Sequence, residues 1–226
     1  MHRRAALGLV FLPSFAGAAP EPASRNDAIL ARLERIFTRL RESKYSHATL
    51  VDEDAGRYEF DCSGLVNWVL RRTAPGAHGV VVGRAKNGRP LARDYYREIA
   101  STRPGPRTPR GWARVTRVDE ARPGDVIAWL KPELVRSTNT GHVAFLLEEP
   151  RPTDGTPGGY LLRVADASRY QHDEDDRSES GRTGFGSGTI LVIADPETGA
   201  PRAYGWVGLR SRWVLEAAIA IGRSVR

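Results

Sequence analysis

The chain has 226 residues, of which 40% are hydrophobic and 27% charged, a balance that fits one folded domain with extensions and excludes a low-complexity protein. Its formal charge is +7 and its isoelectric point about 10.0, carried almost wholly by arginine, since Lys44, Lys86 and Lys131 are the only lysines. The arginines are scattered rather than striped and no nucleic-acid motif accompanies them, so nucleic acid is not an expected partner.

Residues 1–18 read as a signal peptide. His2, Arg3 and Arg4 form a positive start, an apolar run follows over 5–15, and Ala16, Gly17 and Ala18 are small enough for cleavage. The run is too short and too proline-interrupted to span a bilayer, and no later run is longer. A secreted or periplasmic protein without stable membrane insertion is therefore expected once the leader is removed. Residues 19–24 form a Pro/Ala linker, and 25–226 form one domain with a C-terminal extension after about residue 170.

Within that domain, Ile29, Leu30, Leu33, Ile36, Phe37 and Leu40 make one apolar stripe and predict a helix over 26–42. A polar stretch over 45–58 reads as loop. Leu65, Val66, Val69 and Leu70 recur at helical spacing after Asp61, a good N-cap, and predict a second helix ended by Pro75 and Gly76. A short helix is predicted over 90–100 and a Pro/Arg/Gly loop over 102–111. Strands are predicted over 112–118, 126–130, 142–149 and 160–167, with late strands over 190–194, 203–207 and 213–221, the last of which also fits a helix. The 170–188 stretch reads as polar and irregular, its acidic run 173–176 as solvated loop and its glycines 184–188 as a flexible turn. Helices first and strands later define an α+β class, with N-terminal helices packed on a central antiparallel β-sheet.

Cys62 is the only cysteine, so it has no intramolecular disulfide partner. It is a buried filler, an intermolecular bridge or a reactive thiol. A place in the first turn of a helix favours the last, because unpaired N–H groups and the dipole there stabilise thiolate. A cysteine nucleophile needs an imidazole base and a third group to orient it. Of five histidines, only His142 begins a well-formed apolar strand, and Gly141 before it permits close approach. Asp166 lies in the strand predicted to pair with that of His142, where a buried carboxylate needs a partner.

The segments 60–66 (FDCSGLV), 123–129 (PGDVIAW), 141–145 (GHVAF) and 164–168 (VADAS) resemble, in order, the motifs of the NlpC family of papain-like cysteine peptidases, mostly bacterial cell-wall hydrolases. The resemblance implies a papain-like fold with the nucleophile at a helix N-terminus. Cys62 then matches the nucleophile, His142 the base and Asp166 the orienting residue, where many members carry His, Asn or Gln. Tyr45, Asp61 and Ser63 match positions that hold the free amine of a stem peptide. The implied activity is amide hydrolysis in peptidoglycan stem peptides through a thioester, with the peptidoglycan peptide as partner and neither metal nor other cofactor. An amidase or acyltransferase on the same scaffold, or a non-catalytic wall-binding domain, are the alternatives. Tyr45-Ser46-His47-Ala48-Thr49 departs from the family's usual loop sequence, and 80 residues separate Cys62 from His142, more than is usual.

Overall fold

The computed structural model describes residues 25–104 and 111–225; the expected leader, linker and most of the 102–111 loop lie outside them. The first half of the chain carries the helices: α1 (Asn26–Arg39), α2 (Cys62–Thr73), α3 (Pro75–Arg84) and α4 (Ala92–Ser101). Pro75 does end α2, but it also starts α3, because proline at the first helical position gives up no hydrogen bond. Between α1 and α2 lies a small sheet of β1 (Glu42–Tyr45), β2 (Leu50–Asp52) and β3 (Arg57–Phe60), in a segment expected to be loop.

Everything after α4 is strand and connection: β4 (Trp112–Val115), β5 (Val126–Leu130), β6 (Gly141–Leu146), β7 (Arg151–Pro152), β8 (Gly159–Ser168), β9 (Gly184–Ala194), β10 (Pro201–Gly205), β11 (Leu215–Glu216) and β12 (Ile219–Ser224). They form one antiparallel nine-stranded sheet in the order β11-β10-β9-β8-β6-β5-β12-β4, with β7 added on β8.

The expected α+β, papain-like layering of N-terminal helices on a central sheet is therefore corrected. Among the described residues the protein is mostly β-sheet, with four short helices. The reason lies in the strand pattern. Val143 and Phe145 of β6 join a core with α1, α2 and α4, but Ala144 and Leu146 join a second core with Ile127, Trp129, Val164, Ile190 and Ile221. An apolar second face must be covered. It is covered by the sheet itself, which curls until β10 contacts β12.

The flexible turn expected at 184–188 is corrected. These residues are the first half of β9, every residue of which is buried. The glycines that look like a turn serve packing instead. A Cβ on Gly186 would lie 2.5 Å from Asp176 Oδ1, and one on Gly188 would lie 2.6 Å from His172 Cβ. Gly here admits the 172–177 segment directly against the strand. That segment, whose acidic run 173–176 is expected to be a solvated loop, is consequently packed down, with His172, Asp175 and Arg177 buried.

Candidate functional site

The start of α2, the start of β6, the end of β8 and the segment after β10 meet at a cleft of about 1090 Å³. Tyr45, Asp61, Cys62, Ser63 and His142 all line it, while Asp166 lies buried behind His142. Asp61 caps α2, its Oδ1 accepting from the Gly64 N–H at 2.7 Å. The Cys62 N–H sits in the first turn, where no helical acceptor exists for it.

The thiol does not show the lowered pKa expected of a helix start. Burial pushes it up to about 12; the carboxylates of Asp61 and Asp166 add to the rise, and the Val143 and Ser63 backbone N–H groups oppose it. Cys62 at rest is a thiol that takes hydrogen bonds from these two N–H groups. Val143 is the residue next to His142, so the sulfur meets β6 at its first turn of backbone.

His142 is held from several sides. Gly141 precedes it at φ 134°, and a Cβ there would collide with the Trp129 carbonyl. The ring packs against Trp129 and Trp206, with centroids 5.0 and 4.9 Å away. Its Nε2 lies 2.6 Å from Asp166 Oδ2. Burial lowers the His142 pKa despite the pull of Asp166, and the charges of His172 and Arg177 lower it further. His142 is therefore neutral at neutral pH, donating from Nε2–H to Asp166 and keeping Nδ1 as its unprotonated, basic nitrogen.

Behind it lies a buried network that no reading of the sequence identified. His172 Nε2 is 2.9 Å from the same Asp166 Oδ2, and its Nδ1 is 3.0 Å from the Trp206 carbonyl oxygen. Arg177 Nη1 donates to Asp166 Oδ1 at 3.0 Å and to the Gly184 carbonyl, and its other nitrogens clamp Asp175. Burial alone would raise the Asp166 pKa, but His172, Arg177 and the two imidazole hydrogen bonds hold it well below the usual carboxylate range. Asp166 is thus ionised and can only accept. The Trp206 carbonyl can only accept as well. His172 thus bridges two acceptors, the Asp166 carboxylate and the Trp206 carbonyl, through its two ring nitrogens. The one available signal was the contiguous 172–177 stretch, rich in ionisable residues, beside the Asp166 strand.

His142, Asp166 and His172 present three donor atoms within reach of one ion. The contacts to Asp166 Oδ2, 2.6 and 2.9 Å, are hydrogen-bond lengths. Ligand atoms about 2.1 Å from a tetrahedral zinc stand about 3.4 Å apart. Arg177 already neutralises the carboxylate, so the geometry fits a proton-holding network better than an ion cradle.

The three residues matched to amine binding are differently engaged. Asp61 Oδ1 accepts from Gly64 N–H and the Ser63 hydroxyl, and Oδ2 from His47 and Arg89. Tyr45 ends β1, which the Ser43 hydroxyl ties to the Phe185 N–H of β9. Burial, with Cys62 and Asp61, pushes the Tyr45 phenol up to about 12, so it remains a donor.

No family model and no solved structure matches the chain. An uncharacterized protein of Acanthamoeba polyphaga mimivirus is 28% identical over 181 residues, spanning 72% of this chain and 76% of that one.

Proposed function

We propose that this protein is a cysteine hydrolase that cleaves an acyl bond, an amide by preference, through a Cys62 thioester. The observation that carries this reading is a half-buried cysteine at a helix start, lining one cleft with an imidazole whose Nε2 is pinned to a buried carboxylate. Two neutral partners replace a preformed ion pair. Cys62 Sγ attacks the substrate carbonyl carbon while its proton passes to His142 Nδ1, and the Cys62 N–H supports the developing oxyanion. His142 then returns that proton to the leaving amine as the C–N bond breaks. Water, deprotonated by His142, attacks the thioester, releasing the acid and restoring the thiol. Asp166 keeps the imidazole in the Nδ1-basic tautomer throughout.

The motif resemblance to the NlpC family supports peptidoglycan stem peptides as the substrate, with the leader-like start supporting action outside the cytoplasm. An amidase or acyltransferase uses the same thioester and differs only in the second acceptor. A high thiol pKa leaves almost no thiolate at pH 7, so any rapid alkylation of Cys62 depends on His142. Iodoacetamide labelling, followed by intact-mass spectrometry, tests this: His142→Ala slows it at least about 100-fold. Labelling at equal rates in the two proteins overturns the reading. Incubation with peptidoglycan fragments, read by mass, then separates hydrolysis of stem peptides from transfer to another amine.

A further inference from the structure

Around Cys62 the described cleft wall carries more cationic than anionic side chains. Asp61 is the single carboxylate in the described cleft wall, and each of its oxygens already accepts two hydrogen bonds. The Ser63 hydroxyl proton is given to it. A substrate ammonium would have to displace Arg89 to reach it. Against this one acid stand three cations, Arg89, Lys131 and Arg169. Arg89 is spent on Asp61 and the His47 carbonyl, and Lys131 is turned to the Ser137 carbonyl.

Arg169 is different. Its guanidinium lies over the Tyr45 ring, 5.0 Å from the centroid, and among the described residues no carboxylate or carbonyl accepts from it. It directly follows Ser168, the last residue of β8, two positions beyond Asp166, so its backbone is anchored by the strand that holds the site. Tyr45, Asp61, Cys62, Arg89 and Arg169 line the same cleft, and the Tyr45 phenol also lacks an acceptor among the described residues. A planar guanidinium and a phenol at one spot make a site for paired oxygen atoms bearing negative charge.

We infer that the cleft takes an acyl substrate carrying an anionic oxygen group, a carboxylate or phosphate, beside the scissile carbonyl, held by Arg169 and the Tyr45 hydroxyl. The inference rests on the thiol acyl-transfer reading and reverses the charge of the amine pocket that the motif match implies. A free carboxylate of a stem peptide is one source of such a group.

The lone cysteine makes the test direct. Full-length protein is alkylated with iodoacetate and, separately, with iodoacetamide, which differ in charge but not in the bond formed: a new S–C bond, with iodide leaving and the thiol proton released. The ratio of the two rates at Cys62 is compared with the same ratio for glutathione. We expect iodoacetate to be favoured about tenfold over that reference, with the preference lost in Arg169→Gln and kept in Arg169→Lys. A ratio equal to that of glutathione, or one unchanged in Arg169→Gln, overturns the anionic subsite. Protection by glutarate rather than inorganic phosphate identifies a carboxylate source, and the reverse a phosphate source; protection by neither, with a ratio like glutathione's, again counts against the subsite. Failure of the hydrolase reading looks different: labelling by either reagent is then independent of His142.

Discussion

His142 and His172 meet on a single oxygen, Oδ2 of Asp166, at 2.6 and 2.9 Å. One imidazole borders the cleft and the other is buried. The second histidine, with Arg177 on the opposite oxygen and itself clamped by Asp175, completes the set of partners around the carboxylate. Asp166 orients His142, but burial of the ring outweighs the upward pull of the carboxylate on its pKa. On the proposed cysteine-hydrolase reading, such a site moves a proton during attack rather than storing a thiolate–imidazolium pair.

The first prediction is the shape of the pH profile. His142 must be unprotonated to accept the thiol proton, and its pKa lies below the ordinary imidazole value of about 6.5. The rate of Cys62 alkylation should fall with acid in one limb below that value, stay flat through neutrality, and climb again only above about pH 10 as the thiol, pushed up to about 12, ionises unaided. Fast labelling that persists below about pH 5 would mean a preformed thiolate and would contradict this ionisation scheme.

The second concerns His172 as a positioning residue. His172→Phe keeps a ring against Trp206, where the centroids are now 4.3 Å apart, but removes an electrostatic influence that lowers the His142 pKa. The acid limb should move to higher pH, alongside a lower plateau. A purely structural role would lower the plateau and leave the limb in place. Thermal melting of the variant separates either result from loss of the fold.

How much of this was readable in the sequence depends on where each residue gets its constraint. Cys62, His142 and Asp166 announce themselves locally, through an N-cap followed by helical spacing, a glycine before an alternating strand, and an acid inside an apolar strand. Strand β5 was legible to the residue because a turn bounds an unbroken apolar run. His172 and Arg177 carry no such local sign: they sit in an irregular polar stretch, and only contact with β9 buries them. The curled sheet was illegible for the same reason. Each strand shows its own alternation, but what covers the second face is decided by β10 reaching β12 across the sheet.

The third prediction addresses the three donor atoms around Asp166. Dialysis against EDTA should leave the His142-dependent alkylation rate unchanged, and added zinc should slow it, because the ion would compete for His142 Nε2 and displace Arg177 from Asp166. A rate lost on chelation and restored by zinc would turn the network into a metal centre and refute the proton-holding account.

The fourth ties the sheet to the chemistry. Gly188 has no Cβ to meet His172 Cβ, which would otherwise lie at 2.6 Å, or Asp175 Oδ2 at 2.9 Å. His172 Cβ is close to the backbone and cannot simply rotate away, so Gly188→Ala must lift the 172–177 segment off β9. Two effects follow from that one methyl group. Stability to urea should fall by about 1–3 kcal/mol through overpacking. The Asp166–His172 hydrogen bond should lengthen or break, and the acid limb of Cys62 alkylation should move upward as it does in His172→Phe. Gly155→Ala, at a position with nothing within 4 Å of the added carbon, should change neither. If Gly188→Ala loses stability without moving the limb, the packing of β9 and the ionisation of His142 are independent, and the glycine serves the fold alone.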